Sequence, residues 1–326
     1  MKRFVCALAI LSLAIISTSA QSGRRLPSKA PKDSDDTIRL RAEEVLLNVT
    51  IIDPYGHQVT DLAEDEFIIA EDGQRQDIAS FAVSRVPVNV ALMLDASGSV
   101  VGNIESLREA AMGFVKELGP EDKVCVTEFH TDVELIQDWT SKADDIRHAI
   151  SWRFKPGRVM TKDGRSTYGT TALYDSLYLA AQEQLAKVEG RKAVIILTDG
   201  DDTSSKVTYE QALAGVIRSG AVVYVVSKAR AIMQIAGRMW AARFERAEFL
   251  MTDLAKRTGG QIFSPLKDDE MKDVYAKVAR ELKNQYIITY IPRNEKHDGG
   301  LRQVNVYLTR PGYKARSRDS YYAPDK

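Results

Sequence analysis

Residues 88–99 read VNVALMLDASGS, and they restrict the fold more than any other stretch of the chain. Val88, Val90, Ala91, Leu92, Met93 and Leu94 form an apolar run. That is the pattern of a strand buried on both faces in the middle of a parallel sheet. The run stops at Asp95, with Ser97 and Ser99 at the next alternate positions and Gly98 between them. Three oxygen side chains therefore sit where the strand leaves the sheet. In open α/β sheets ligands bind in the crevice beyond that edge, and an oxygen-only donor set favours a hard divalent cation such as Mg²⁺. Helix capping is the competing explanation, because Asp and Ser cap helices routinely. Capping accounts for one of these residues or two, but not for matching residues delivered by other strands.

The chain has 326 residues, 44% apolar and 28% charged, with a formal net charge of zero. A sizeable core fits that composition, and the charge balance argues against a general nucleic-acid binder. The first residues read as a signal peptide. Lys2 and Arg3 precede an apolar run over 4–16, and Ser17-Thr18-Ser19-Ala20 supplies small residues for cleavage after Ala20. Cys6 lies inside the run rather than after it, which argues against a lipoprotein cleavage site. Localisation is therefore expected to be periplasmic or extracellular. Cys125 alone would remain after cleavage, which leaves neither an intrachain disulfide nor a cysteine zinc site.

Composition and periodicity divide the chain into a signal peptide at 1–20 and a Ser-, Pro-, Lys- and Asp-rich disordered linker at 21–36. A β segment at 37–86, an α/β domain at 87–283 and a second β segment at 284–326 follow. Within the α/β domain, helical spacing is expected over 104–118, 143–152, 170–188, 209–218, 230–257 and 268–282. Buried strands are expected at 192–198 and 221–226. Strands at 123–129 and 133–139 read as a hairpin, and 153–169 reads as an irregular polar loop. Alternating strands and helices predict a mostly parallel sheet covered on both faces. The two β segments most simply pair with each other as one small β-sandwich into which the α/β domain is inserted.

Two further segments supply matching oxygen ligands. Thr171 opens a helix in YGTTALYDSL, and Asp199 ends the strand AVIILTD. With Asp95, Ser97 and Ser99 they make five oxygen-bearing residues on three segments, all expected at the carboxyl pole of one sheet. Thr170 competes with Thr171, and Asp201 and Asp202 read as solvated turn residues. Over 87–283 the chain resembles the von Willebrand factor A domain with its metal-ion-dependent adhesion site, whose motif is D-x-S-x-S, a distant threonine and an aspartate after a buried strand. The flanks, LNVTIIDPYGHQVTDLAEDEFIIAEDGQRQDIASF and QYIITYIP with RSRDSYYAP, resemble bacterial exported VWFA-related proteins. The resemblance implies a Rossmann-like open sheet. It also implies a cation, Mg²⁺ or else Mn²⁺ or Ca²⁺, bound directly by the Ser97 and Ser99 hydroxyls. Thr171 would bind directly or through water, and Asp95 and Asp199 would hold coordinated waters or bind directly. Neutral hydroxyls leave part of the cation's charge uncompensated, so a partner protein's Asp or Glu can complete the coordination.

The expected activity is therefore recognition rather than turnover: an exported adhesion or assembly module that is not an enzyme. A Mg²⁺-dependent phosphohydrolase is the alternative from another class. It would need a carboxylate where Ser97 stands, and the chain has no GxxxxGK[ST] phosphate loop. A structural envelope domain with an unused site is the third reading, and the complete five-residue set argues against it. Arg153, Lys155, Arg158, Lys162 and Arg165 crowd the loop before Thr171. They are either a solvated basic surface or a collar that attracts an acidic partner. The four histidines show no metal-ligand spacing. Met233, Met239, Trp240, Phe244 and Phe249 are either helical core or a partner surface.

Overall fold

The computed structural model describes residues 44–83, 86–98, 104–155, 158–160, 166–236 and 238–325. The expected signal peptide, the linker, Ser99, Lys162 and Arg165 lie outside the described residues, as does the side chain of Arg158.

The strands in the first β segment are β1 (Val45–Ile52), β2 (Gln58–Val59), β3 (Phe67–Glu71), β4 (Gln74–Gln76) and β5 (Ile78–Val83). The α/β part runs β6 (Val88–Asp95), α1 (Ile104–Glu117), β7 (Lys123–Phe129), β8 (Val133–Thr140), α2 (Ala143–His148), β9 (Arg158–Met160), β10 (Ser166–Tyr168), α3 (Leu173–Leu179) and β11 (Arg191–Thr198). It continues with α4 (Tyr209–Ser219), β12 (Val222–Ser227), α5 (Ala229–Ala236), α6 (Arg238–Arg257), β13 (Gln261–Phe263) and α7 (Met271–Lys283). The last strands are β14 (Tyr286–Tyr290), β15 (Leu301–Leu308), β16 (Lys314–Arg316) and β17 (Ser320–Tyr322).

The central sheet has six strands in the order β13-β12-β11-β6-β7-β8. Every neighbouring pair is parallel except the hairpin of β7 with β8. The apolar run in β6 lies at the middle of this sheet. Because side chains alternate across a strand, Val90, Leu92 and Leu94 face one core with Leu107, Ala111 and Phe114 of α1 and Tyr275 and Val278 of α7. Ala91 and Met93 face the other, with Leu173 and Leu177 of α3, Leu213 and Val216 of α4 and Met251 of α6. Burial on both faces is what the unbroken apolar sequence requires.

The flanking strands pair with each other. β1 lies antiparallel to β14 over Val45–Val49 and to β16 over Thr50–Ile52, and β5 pairs with β14. β15 joins β3 to β17 in a second antiparallel sheet. Leu47, Val49, Ile51, Phe67, Ile69, Tyr286, Ile288 and Val304 form a separate apolar core from these strands. A buried polar seam ties this part to the central sheet. Arg191, at the start of β11, is 2% exposed. It donates to Asn48 Oδ1 at 3.1 Å, Val86 O at 2.8 Å, Leu282 O at 2.7 Å and Gln285 Oε1 at 2.8 Å. Beside it the Glu281 carboxylate accepts from Tyr224 and Thr50 and pairs with Arg316.

Three expectations about local structure need correction. The 153–169 segment is not uniformly irregular, because β9 and β10 form a short hairpin within it. The helix expected from 170 starts at Leu173. It passes through a π-helical turn at Ala180–Gln184 and a 3₁₀ turn at Leu185–Lys187. The long helical stretch from 230 is two helices, α5 and α6. Among the described residues, no helix is long and apolar enough to cross a membrane.

Candidate metal centre

The carboxyl ends of β6, β7 and β11 define the pole at which Asp95, Ser97, Thr171 and Asp199 lie. Leu94 registers against Leu197 of β11, and Asp95 registers against Phe129 of β7. Asp95 is wholly buried, and Ser97, Thr171 and Asp199 are 2%, 5% and 4% exposed. Both oxygens of the Asp95 carboxylate are fixed. Oδ1 accepts the Ser97 N–H at 2.8 Å, an Asx turn of the kind that D-x-S sequences favour. Oδ2 accepts the Thr198 hydroxyl at 2.7 Å, and the Gly200 N–H donates to Thr198 Oγ1 at 3.0 Å. The Asp201 N–H in turn donates to Asp199 Oδ1 at 3.0 Å.

Thr171 reaches the pole from a segment held on both sides. The Ala172 N–H donates to the His130 carbonyl just beyond β7 at 2.7 Å. Thr171 itself donates its N–H to Thr203 Oγ1 at 2.7 Å and accepts, through its carbonyl, the N–H groups of Thr203 and Ser204. Thr170 is exposed, and its hydroxyl is engaged with Thr131 and Ser204. The two adjacent threonines are thereby distinguished. Thr171 is buried with its backbone held by residues 203–204, while Thr170 is tied into the outer loop by its hydroxyl.

The two carboxylates at this pole are electrostatically linked. Burial, reinforced by the charge of Asp199, pushes the Asp95 carboxyl well above the usual carboxylate range. Two buried acids facing one pole repel each other, and a divalent cation between oxygen donors removes that penalty. Carboxylates and hydroxyls suit a hard ion. Among the described residues no group of three or more His, Cys, Asp or Glu side chains is placed to hold a metal. This centre has two carboxylates and takes its remaining donors from hydroxyls, so the residues present fit an Mg²⁺-like ion and not a thiolate or imidazole site.

The residues at 89–255 match the family model of the von Willebrand factor type A domain. The chain belongs to that family. No curated protein matches it. Solved structures with the same fold include proximal thread matrix protein 1 from the mussel byssus, at 16% identity and a TM-score of 0.48, covering 65% of this chain and 51% of that one. The PilB minor pilin from Streptococcus sanguinis shares 14% identity with a TM-score of 0.45, over 61% of this chain and 62% of the pilin. BatB from Bacteroides thetaiotaomicron shares 19% identity with a TM-score of 0.43, over 60% of this chain and all of BatB. The chain thus spans about half the length of the mussel protein.

In this von Willebrand factor A domain, Asp201 and Asp202 are not solvated turn residues. Asp201 accepts from Arg243 of α6 at 2.6 Å. Asp202 Oδ1 accepts the Leu173 and Tyr174 N–H groups at 2.9 and 3.3 Å, capping α3 from outside the helix. Nothing local in DGDDTSS reveals this, because the capped helix begins 29 residues earlier in the sequence. Thr198, which holds Asp95, was legible only through its position beside Asp199. Of the basic loop, Arg153 and Lys155 are exposed. The Lys155 N–H donates at 3.0 Å to Glu128, near the carboxyl end of β7, which brings this end of the loop to the pole. Phe244 is buried, while Phe249 is 69% exposed.

Proposed function

We propose that this protein is a metal-dependent protein-binding module acting in adhesion or assembly, not an enzyme. Asp95, Ser97, Ser99, Thr171 and Asp199 hold a divalent cation, Mg²⁺ or else Mn²⁺ or Ca²⁺. An Asp or Glu of a partner protein completes its coordination. When bound, the cation supplies the positive charge that grips this outside carboxylate. What supports the reading most is the burial of two acids, Asp95 and Asp199, and two hydroxyl residues, Ser97 and Thr171, contributed by three segments. The chain's part is to fix the donors: the Ser97 N–H and the Thr198 hydroxyl orient Asp95, and the loop after β11 orients Thr171.

The proposed organisation is a signal peptide at 1–20, a linker at 21–36, β-sandwich parts at 37–86 and 284–326, and the metal-binding domain at 87–283. Export to the periplasm or beyond, after cleavage near Ala20, places the pole where it meets other envelope or extracellular proteins. Arg153, Lys155, Arg158, Lys162 and Arg165 form the collar that steers an acidic partner. Neutralising all five is expected to slow association at low salt, and an unchanged rate would remove the collar from the model of binding.

Thermal unfolding with and without millimolar Mg²⁺ or Mn²⁺ tests the proposal. Stabilisation by linkage is expected in the wild type and is lost in both Ser97→Ala and Ser99→Ala. A melting temperature indifferent to both metals would overturn it. Capture from envelope extract with and without EDTA then identifies the partner.

A further inference from the structure

Thr171 and Asp199 lie on different segments, yet hydrogen bonds beyond those of the sheet and helices lace the two together. The helix α3 begins without a side-chain cap of its own, since its N-cap residue is Ala172. The first amide groups of a helix have no partner within it. Here they are taken by the loop after Asp199. Asp202 Oδ1 accepts from Leu173 and Tyr174, and Ser205 Oγ accepts the Asp175 N–H at 3.0 Å while donating to Asp202. The exchange is reciprocal, because Asp175 Oδ1 accepts the Lys206 and Val207 N–H groups, each at 2.9 Å. Thr171 sits inside this lacing, with its N–H and its carbonyl both committed to residues 203–204.

We infer that Asp202 is a positioning residue for the metal centre: by clamping the start of α3 onto the loop that carries Asp199, it presents Thr171 and Asp199 to the cation as one rigid body. The inference rests on the metal-centre reading above and adds to it a residue outside the five donors. With both backbone groups of Thr171 fixed to the loop, the direction of its side chain follows the loop. If the clamp is released, the Thr171 donor can drift relative to Asp199. Residues that orient metal ligands without touching the metal typically contribute 10–100-fold in metal affinity.

Calorimetric Mg²⁺ and Mn²⁺ titration of the full chain, well below the melting temperature of each variant, tests this. Asp202→Ala is expected to weaken metal binding about tenfold or more, and Asp202→Asn, which keeps the Oδ1 acceptor, to stay near wild type. Thr203→Val, which deletes only the acceptor for the Thr171 N–H, is expected to weaken binding in the same direction. It carries the test if Asp202→Ala does not fold. If Asp202 serves α3 alone, its loss lowers the metal-free melting temperature and leaves the dissociation constant unchanged, which would overturn the inference. Wild-type binding that is undiminished in Asp202→Ala and Thr203→Val overturns the clamp but not the metal centre. A wild-type chain that binds neither metal overturns both.

Discussion

Cys125 shows how far burial alone can set the behaviour of a residue. It lies in β7 with no exposure, and burial, with a smaller contribution from the charge of Asp138, pushes its thiol up to about 12. Thiolate is the reactive form, so the folded protein is expected to resist maleimide or disulfide reagents at pH 8 and to react at this position once denatured. Peptide mapping of the labelled chain checks this, and rapid labelling of the native protein would show that β7 opens. That Cys125 is buried was legible from VCVTEF. So were Asp95, Thr171 and Asp199, because each stands at the end or start of an apolar-periodic segment. Asp202 and Arg191 were not legible. The partners that matter here, the α3 amides for Asp202 and the groups around Arg191, lie 28 or more residues away in the sequence, and no periodicity encodes a hydrogen bond between distant segments.

One tightly constrained join between elements is the glycine pair after α6. Gly259 has φ +83, in the left-handed region, and a Cβ there would collide with the backbone of Ser317 and Arg318. At Gly260 a Cβ would overlap the Val223 carbonyl of β12. The sequence showed that Gly259 and Gly260 end a helix. It did not show that they also let the last segment of the chain approach, bridging Thr258 to Arg318. Gly260→Ala is expected to destabilise the fold by about 3 kcal/mol, the upper end of what overpacking costs, as a shift of the urea midpoint at unchanged m. A wild-type midpoint would mean that β13 shifts to admit the methyl group. Continuous apolar runs made β6, β11 and β12 readable as strands. The hairpin β9–β10 was missed because its short strands, RVM and STY, carry no apolar alternation, and the π-helical turn after α3 was missed because it preserves the apolar spacing of a helix.

For the whole molecule, the flanks are a shared structure rather than two appendages. β14 lies between β1 and β5 in one sheet, and β15 lies between β3 and β17 in the other. Removing residues 284–326 would strip all four strands contributed from the C-terminal side. It would expose the apolar faces of Leu47, Val49, Phe67 and Ile69. Such a truncation is expected to aggregate, seen as loss of the monomer peak in size-exclusion chromatography, whereas a soluble, cooperatively melting product would show that the N-terminal strands stand alone. The pairing of the two flanks was foreseeable only as the simplest way to complete a sheet, since register between strands some two hundred residues apart leaves no local trace.

The register of β5 with β14 carries a mechanical consequence. Val83, where the chain leaves for the α/β part, lies opposite Tyr286, where it returns. The α/β part is thus a loop closed at its neck by a hydrogen-bonded pair of strands. Tension applied between the two flanks is transmitted across that neck, strand to strand, and bypasses the sheet that carries Asp95 and Asp199.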